Sequence, residues 1–205
     1  MIYTKSDMPY NFKSKAPIPK VEARRIVRES VSELTVTELM KKSALIIERL
    51  TNLDDYNFAQ KIYAYFSSSG IVVNTKSLIN LAQGQGKSVF LPKQNRAGTL
   101  PRRFQFTSYD VLVRNDLDLL EPKIGTEEDL SDIDLIIVPC VAVSLLGERI
   151  GFEKMNFDSL LRNSFAPKIV PAFEFQVFNR IEYEREDIRI DRIITERRII
   201  NTRDI

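Results

Sequence analysis

Apolar positions recur along this chain in two alternating rhythms. Ala23, Ile26, Val27, Val31 and Leu34 follow one another at steps of three and four, which predicts a helix with one apolar face starting near Lys20. Thr35 or Thr37 is positioned to cap a second helix carrying Leu39, Met40, Ser43, Ala44, Ile47 and Leu50. Residues 61–68 (KIYAYFSS), 88–92 (SVFLP) and 104–109 (FQFTSY) are rich in aromatic and β-branched side chains and predict strands, the last near a sheet edge. A short helix over 75–83, with Leu78, Ile79 and Ala82, separates the first two. Residues 135–140 (LIIVPC) form an unbroken apolar run of the length expected for a strand buried on both faces. A helix over 156–163 follows, then strands over 168–176 (KIVPAFEFQ) and 190–196 (IDRIITE). Strands alternating with helices predict an α/β fold with a mostly parallel sheet sandwiched by helices. Residues 1–19 carry few apolar positions and predict a flexible N-terminal tail or surface arm, leaving 20–205 as a single domain.

Composition narrows the chemistry. The formal net charge is only +2, and 28% of residues are charged, which argues for neither nucleic acid nor an anionic membrane. Acids and arginines interleave through residues 181–205, so no clean basic stripe forms there. The chain has one cysteine, Cys140, which excludes an internal disulfide and a cysteine metal cluster. It has no histidine, which removes histidine bases, histidine metal sites and histidine triads. Acid–base or metal work must therefore fall to carboxylates, lysine, tyrosine or the ligand itself. No apolar run approaches the roughly 18–20 residues of a membrane span, and the N-terminus lacks the apolar core of a secretory signal. A cytoplasmic monomer is expected.

Two glycine-containing loops compete as sites. Residues 84–88 (GQGKS) superficially resemble a phosphate loop, but Leu81 stands where that motif needs its first glycine. A helix also precedes and a strand follows, the reverse of the required order, so a helix C-cap and turn is the better reading. Residues 139–158 (PCVAVSLLGERIGFEKMNFD) lead out of the apolar strand, and ligands of α/β sheets bind at strand carboxyl ends. Arg149 and Lys154 offer cationic donors suited to phosphate, and Asp158 offers a carboxylate for a metal. Lys20 and Arg24, four residues apart, share one helix face and can grip an anion together.

Pro139, Gly147, Arg149, Gly151, Asp158, Gln176, Asp187 and Asp191 stand in an order and spacing that resembles the 5-formyltetrahydrofolate cyclo-ligase family, also called methenyltetrahydrofolate synthetase. That family reads PGVAFD, then G-x-R-x-G-Y-G-x-G-Y-Y-D, a strand ending in FQ, and HD-x-x-VD-x-I-x-T. The resemblance spans about residues 20–199 and implies a three-layer α/β/α sandwich of the kind shared with sugar-phosphate isomerases and CoA transferases. It implies ATP- and Mg²⁺-dependent closure of 5-formyltetrahydrofolate to 5,10-methenyltetrahydrofolate, with the formyl oxygen phosphorylated and phosphate then expelled by N10. By the same resemblance, Lys20, Arg24, Gly147, Arg149, Gly151, Phe152 and Lys154 contact ATP. Arg149 and Lys154 neutralise the reacting phosphate, while Asp158 and Asp187 hold Mg²⁺. The substrate is a reduced folate.

Several positions depart from the family pattern. Glu153 and Met155 replace the later glycines, and Asn156 and Phe157 replace the tyrosines. Glu186 replaces the histidine of HD, and Ser144 the aspartate of VAFD. Val72 falls where E-x-x-T has a glutamate that contacts the pterin, although Thr75 matches. These departures leave a second reading open. A divergent relative would keep the fold and bind a nucleotide or another anionic metabolite, or act as a non-catalytic interaction protein.

Overall fold

Leu135, Ile136 and Ile137 expose nothing to solvent, as an apolar strand covered on both faces must. In the computed structural model they form a central strand of a seven-stranded sheet. The structure describes residues 16–67, 70–93, 102–114, 120–123, 132–151, 161–162, 164–184 and 187–204. The helices are α1 (Lys20–Ser32), α2 (Val36–Thr51), α3 (Asp54–Phe58) and α4 (Lys76–Gly84). The strands are β1 (Lys61–Tyr63), β2 (Ser88–Lys93), β3 (Arg102–Gln105), β4 (Leu112–Arg114), β5 (Leu120–Pro122) and β6 (Leu135–Ile137). They continue with β7 (Ala142–Ser144), β8 (Arg149–Ile150), β9 (Lys168–Pro171), β10 (Val177–Phe178), β11 (Arg192–Ile194) and β12 (Ile199–Asn201).

The large sheet runs β12-β11-β9-β6-β1-β2-β3. Its five inner strands pair in parallel, and its edge strands β3 and β12 are antiparallel. The mostly parallel α/β architecture expected from the alternation is therefore present. A small sheet, β10-β7-β8, and the antiparallel pair β4-β5 complete the strands. Leu39, Ile46 and Leu50 of α2 and Leu78 and Ile79 of α4 join Ile62, Ile136, Val170 and Ile193 in the main apolar cluster. Each such side chain contributes about 1.5–3 kcal/mol on burial. Ala23 and Val27 of α1 belong instead to a second cluster with Val141, Ala142, Ile150, Phe178 and Ile181. The first helix thus docks on the small sheet, beside the loop between β7 and β8.

Local chemistry sets the boundaries. Thr35 caps α2: its hydroxyl accepts the Glu38 N–H (3.2 Å) and the Glu38 carboxylate accepts the Thr35 N–H (2.8 Å), a reciprocal capping box. On α2 the buried positions are Leu39, Ser43, Ile46, Ile47 and Leu50, whereas Met40, expected on the apolar face, is exposed. Most strands are shorter than predicted. The run 135–140 leaves the sheet after Ile137, because Pro139 has no N–H to continue the ladder. The run 168–176 stops at Pro171 and turns through a 3-10 segment, Glu174–Gln176. The run 104–109 is a strand only as far as Gln105, as the antiparallel edge β3, and coils into a 3-10 turn at Tyr109–Val111. The helix expected over 156–163 lies outside the described residues except for Leu161 and Arg162, which are helical. Residues 1–15 of the expected tail also lie outside them, whereas Ile18 forms a parallel bridge with Ile181. No helix among the described residues is long and apolar enough to cross a membrane.

The GQGKS turn proves structural. Gly86 adopts φ +76°, and the Lys87 N–H reaches back to the Ala82 carbonyl (2.9 Å), closing α4 in a Schellman motif. The Lys87 ammonium donates to the carbonyls of Asn57 (2.9 Å) and Ala59 (2.7 Å), stapling the end of α3.

Gln176 is fully buried, and its amide ties several segments together. Nε2 donates to the carbonyls of Ile71 (3.0 Å), Cys140 (3.2 Å) and Val141 (3.0 Å), while Oε1 accepts the Phe173 N–H (2.8 Å). Gln176→Leu orphans these buried groups and should destabilise the protein by about 2–4 kcal/mol, since each unsatisfied buried group costs about 1–3 kcal/mol. Urea unfolding should show a lower midpoint with an unchanged slope.

Candidate functional site

The turn from β7 to β8 is built by a hydroxyl and a glycine. Ser144 Oγ accepts the N–H groups of Leu146 and Glu148, each at 3.2 Å, a side-chain-closed turn of the kind an aspartate also makes. Serine in place of the expected aspartate therefore keeps the turn. Gly147 follows at φ +81°. A Cβ there would lie 2.5 Å from the Ile190 carbonyl oxygen and 3.2 Å from Thr202 Oγ1. Only glycine lets this backbone sit so close that the Gly147 carbonyl accepts the Ile190 N–H (3.0 Å).

Arg149 lies beneath the loop. It is 7% exposed, and its Nη1 donates to the Pro139 carbonyl (3.1 Å). Its guanidinium fills the space beside Gly151, where a Cβ would come within 3.1 Å of Cζ. At the second expected glycine, a side chain would have to displace the end of the arginine packed against it. From above, Arg24 Nη2 donates to the Gly151 carbonyl (3.0 Å).

A three-way junction brings α1 to this loop. Ile18 donates its N–H to the Arg180 carbonyl (3.1 Å) and accepts the Glu182 N–H (2.9 Å). Glu148, 1% exposed, accepts the Ile181 N–H (2.9 Å) and Arg180 Nε (3.1 Å). At the start of α1, Lys20 Nζ meets Glu184 Oε1 (2.7 Å) and Asp187 Oδ2 (3.0 Å). Partial burial pulls the Lys20 pKa down, but the hydrogen bonds and charges of Glu184 and Asp187 outweigh it and hold the ammonium above its ordinary range. Asp187 Oδ2 also accepts the Glu184 N–H (3.1 Å).

The fold therefore gathers Lys20, Arg24, Gly147, Arg149, Gly151 and Asp187 around one loop. Phe152, Lys154 and Asp158 lie outside the described residues, as do Glu153, Met155, Asn156, Phe157 and Glu186. No group of three or more carboxylate, histidine or cysteine ligands suited to a metal occurs among the described residues. Val72 is buried in the main apolar cluster, and Thr75 Oγ1 donates to the Tyr65 carbonyl (2.6 Å). Sequence reasoning passed over Glu148, Arg180 and Glu184, which are ordinary charges in a charge-rich chain until the fold joins them. It also passed over an aromatic ledge beyond the end of β1. There Phe66 and Phe106 meet Tyr109 edge to face, with centroids 5.8 and 5.2 Å apart, and Lys76 Nζ lies 5.1 Å from the Tyr109 ring.

Known proteins share this arrangement of the chain. Residues 19–196 match the model of the 5-formyltetrahydrofolate cyclo-ligase family. A probable 5-formyltetrahydrofolate cyclo-ligase of Caenorhabditis elegans is 24% identical over 191 residues, covering 86% of this chain and 92% of that protein. The 5-formyltetrahydrofolate cyclo-ligase of Escherichia coli K12 is 27% identical over 180 residues, covering 83% and 96%. The NMR structure of Aquifex aeolicus 5,10-methenyltetrahydrofolate synthetase matches with a TM-score of 0.78 at 30% identity, over 91% of this chain and 94% of that one. A synthetase from Mycoplasma pneumoniae, 18% identical with a TM-score of 0.67 over 86% and 98%, shares the fold.

Two measurements test this geometry. Lys20 has a folded-state pKa raised above the ordinary 10.5, so its ion pairs stabilise the protein at neutral pH and lose that effect as pH rises through the raised value. The stability difference between wild type and Lys20→Met, from urea melts, should therefore shrink above about pH 10.5. Burial pushes the Cys140 thiol, beside Pro139, up to about 12, with Arg149 opposing only in part. Cys140 should resist iodoacetamide at pH 8 in the folded protein and react fully in urea.

Proposed function

The chain belongs to the 5-formyltetrahydrofolate cyclo-ligase family, and from that membership we propose that it closes 5-formyltetrahydrofolate to 5,10-methenyltetrahydrofolate at the expense of ATP. ATP supplies the phosphoryl group that turns the formyl oxygen into a leaving group. The protein's task is then to hold two ligands in line and to balance phosphate charge. The observation that carries this reading is the meeting of Lys20 and Arg24 with the Gly147–Gly151 loop and Asp187.

The residues present suit Mg·ATP. Lys20 and Asp187 now satisfy each other. A triphosphate would offer the lysine a replacement anion, and Mg²⁺ would offer the carboxylate a replacement cation, so neither charge is stranded on binding. Mg²⁺ needs only one or two protein carboxylates beside phosphate and water, and Asp187 with Asp158 would supply them. Arg24 would neutralise phosphate from α1, while Phe152 and Lys154 would complete the nucleotide pocket. Arg149 would act chiefly by shaping the loop, because it is buried against Gly151 and Pro139. For the reduced folate, Phe66 and Tyr109 offer ring faces and edges, and Lys76 a cation for carboxylates.

One observation favours a second reading. The buried Val72 cannot accept the pterin N–H bonds that a glutamate there would, so a relative that binds nucleotide without turning over folate is the alternative.

An assay with 5-formyltetrahydrofolate, ATP and Mg²⁺, followed by methenyltetrahydrofolate absorbance, decides between them. Product formation is expected. Lys20→Ala should raise KM for ATP about 10–100-fold, the worth of a charge-assisted contact, and Asp187→Asn should shift the Mg²⁺ dependence to higher concentration. Absence of product while ATP still raises the melting temperature would establish the second reading instead.

A further inference from the structure

Glu148 is a buried charge that the proposed reaction leaves unused. It is held at its own backbone, with its N–H on Ser144 Oγ (3.2 Å) and its carbonyl accepting the Ser144 N–H (2.8 Å). Its neighbours are Gly147, packed against the Ile190 backbone, and Arg149, buried beside Gly151. Its side chain points out of the loop to another part of the molecule, the segment after β10. One oxygen takes the Ile181 N–H and the other Arg180 Nε. That segment does two further things. It bridges Ile18, two residues before Lys20, and it continues into Glu182, Glu184 and Asp187, which surround Lys20 at the first turn of α1.

We propose that Glu148 is a positioning residue, setting where Lys20 stands relative to the Gly147–Gly151 loop. A carboxylate 1% exposed is costly unless fully hydrogen-bonded. Its two bonds therefore hold rigidly what they join, namely the loop on one side and the Ile18–Ile181 bridge on the other. Proline at 17 and 19 leaves Ile18 as the one residue of that stretch whose N–H can bond. No other side chain among the described hydrogen bonds links the Gly147–Gly151 loop to the Arg180–Ile181 backbone. Without Glu148, α1 keeps its apolar contacts with Val141, Ala142 and Ile150 and the bond from Arg24 to Gly151, but the Ile18–Ile181 bridge that leads into its first turn loses its side-chain tie to the loop. This inference rests on the nucleotide reading of the site.

The test is a double-mutant cycle read in ATP affinity, by calorimetry without folate and by KM in the assay. Glu148→Ala should weaken ATP at least tenfold, while KM for 5-formyltetrahydrofolate stays within about twofold, and Glu148→Gln, which keeps an acceptor for Ile181, should stay within about threefold of wild type. In a Lys20→Ala background, Glu148→Ala should weaken ATP by no more than about twofold further, because the residue it positions is gone. Arg180→Ala, a truncation of a half-exposed side chain, provides a fold-safe variant with an expected weakening of about threefold, likewise absent without Lys20. A Glu148→Ala protein that is merely less stable, with ATP affinity unchanged or with losses that multiply those of Lys20→Ala, overturns the positioning role while leaving the nucleotide reading intact. Unchanged ATP affinity in Lys20→Ala itself would overturn the nucleotide reading on which this inference stands.

Discussion

The amide of Gln176 is the tie on which the carboxyl side of the sheet depends. Parallel strands all release their chains at the same edge, and each exit exposes carbonyls that the ladder no longer satisfies. A single buried side chain collects three of them, at Ile71, Cys140 and Val141, and fixes its own segment through the Phe173 N–H. The segments leaving β1, β6 and β9 are thereby held together where an α/β sheet receives its ligands. The small sheet, and with it the β7–β8 turn, grows directly from this junction.

Around that junction most charges are used inward. Arg149 supports its own loop, Glu148 supports the entry of α1, and Lys87, far from the site, caps stray carbonyls. Lys20 and Asp187 pair with each other and so spare both the cost of standing alone at a partly buried position. A site built this way is electrically balanced before any ligand arrives. A ligand that carries both a polyanion and a divalent cation, as the proposed Mg·ATP does, would exchange that internal pair for two external ones. The glycines of the loop serve close packing: Gly147 admits the Ile190 backbone, and Gly151 admits a guanidinium.

Helices α1, α2 and α4 and the parallel core were legible because their signals are local, whereas the single-turn α3 was not foreseen. A threonine cap at Thr35 or Thr37, steps of three and four from Ala23, and an unbroken apolar run at Leu135 each report on a few neighbours only. Strand ends were less legible. Pro139 and Pro171 stop ladders in ways that depend on which partner is alongside, and the 3-10 turn at Glu174–Gln176 follows from where the Gln176 amide finds acceptors 35, 36 and 105 residues away. The order and spacing of Gly147, Arg149, Gly151 and Asp187 singled out residues that the fold brings to one region, but the direction in which Arg149 faces could not be read from spacing.

The sequence alone determined the class of fold, the absence of histidine and disulfide chemistry, the decoy nature of the GQGKS turn and the family to which the chain belongs. The first three rest on composition and on patterns within about ten residues, which local sterics and periodic burial translate directly into structure, and the family rests on the order and spacing of motif residues from Pro139 to Asp191. Tertiary structure alone decided that α1 rides on the small sheet, that Lys20 faces Glu184 and Asp187, and that Glu148 is buried at the crossing of two segments. Those contacts join residues more than thirty and up to 167 positions apart, and a charge declares its partner only when the chain that carries it has folded back to meet it.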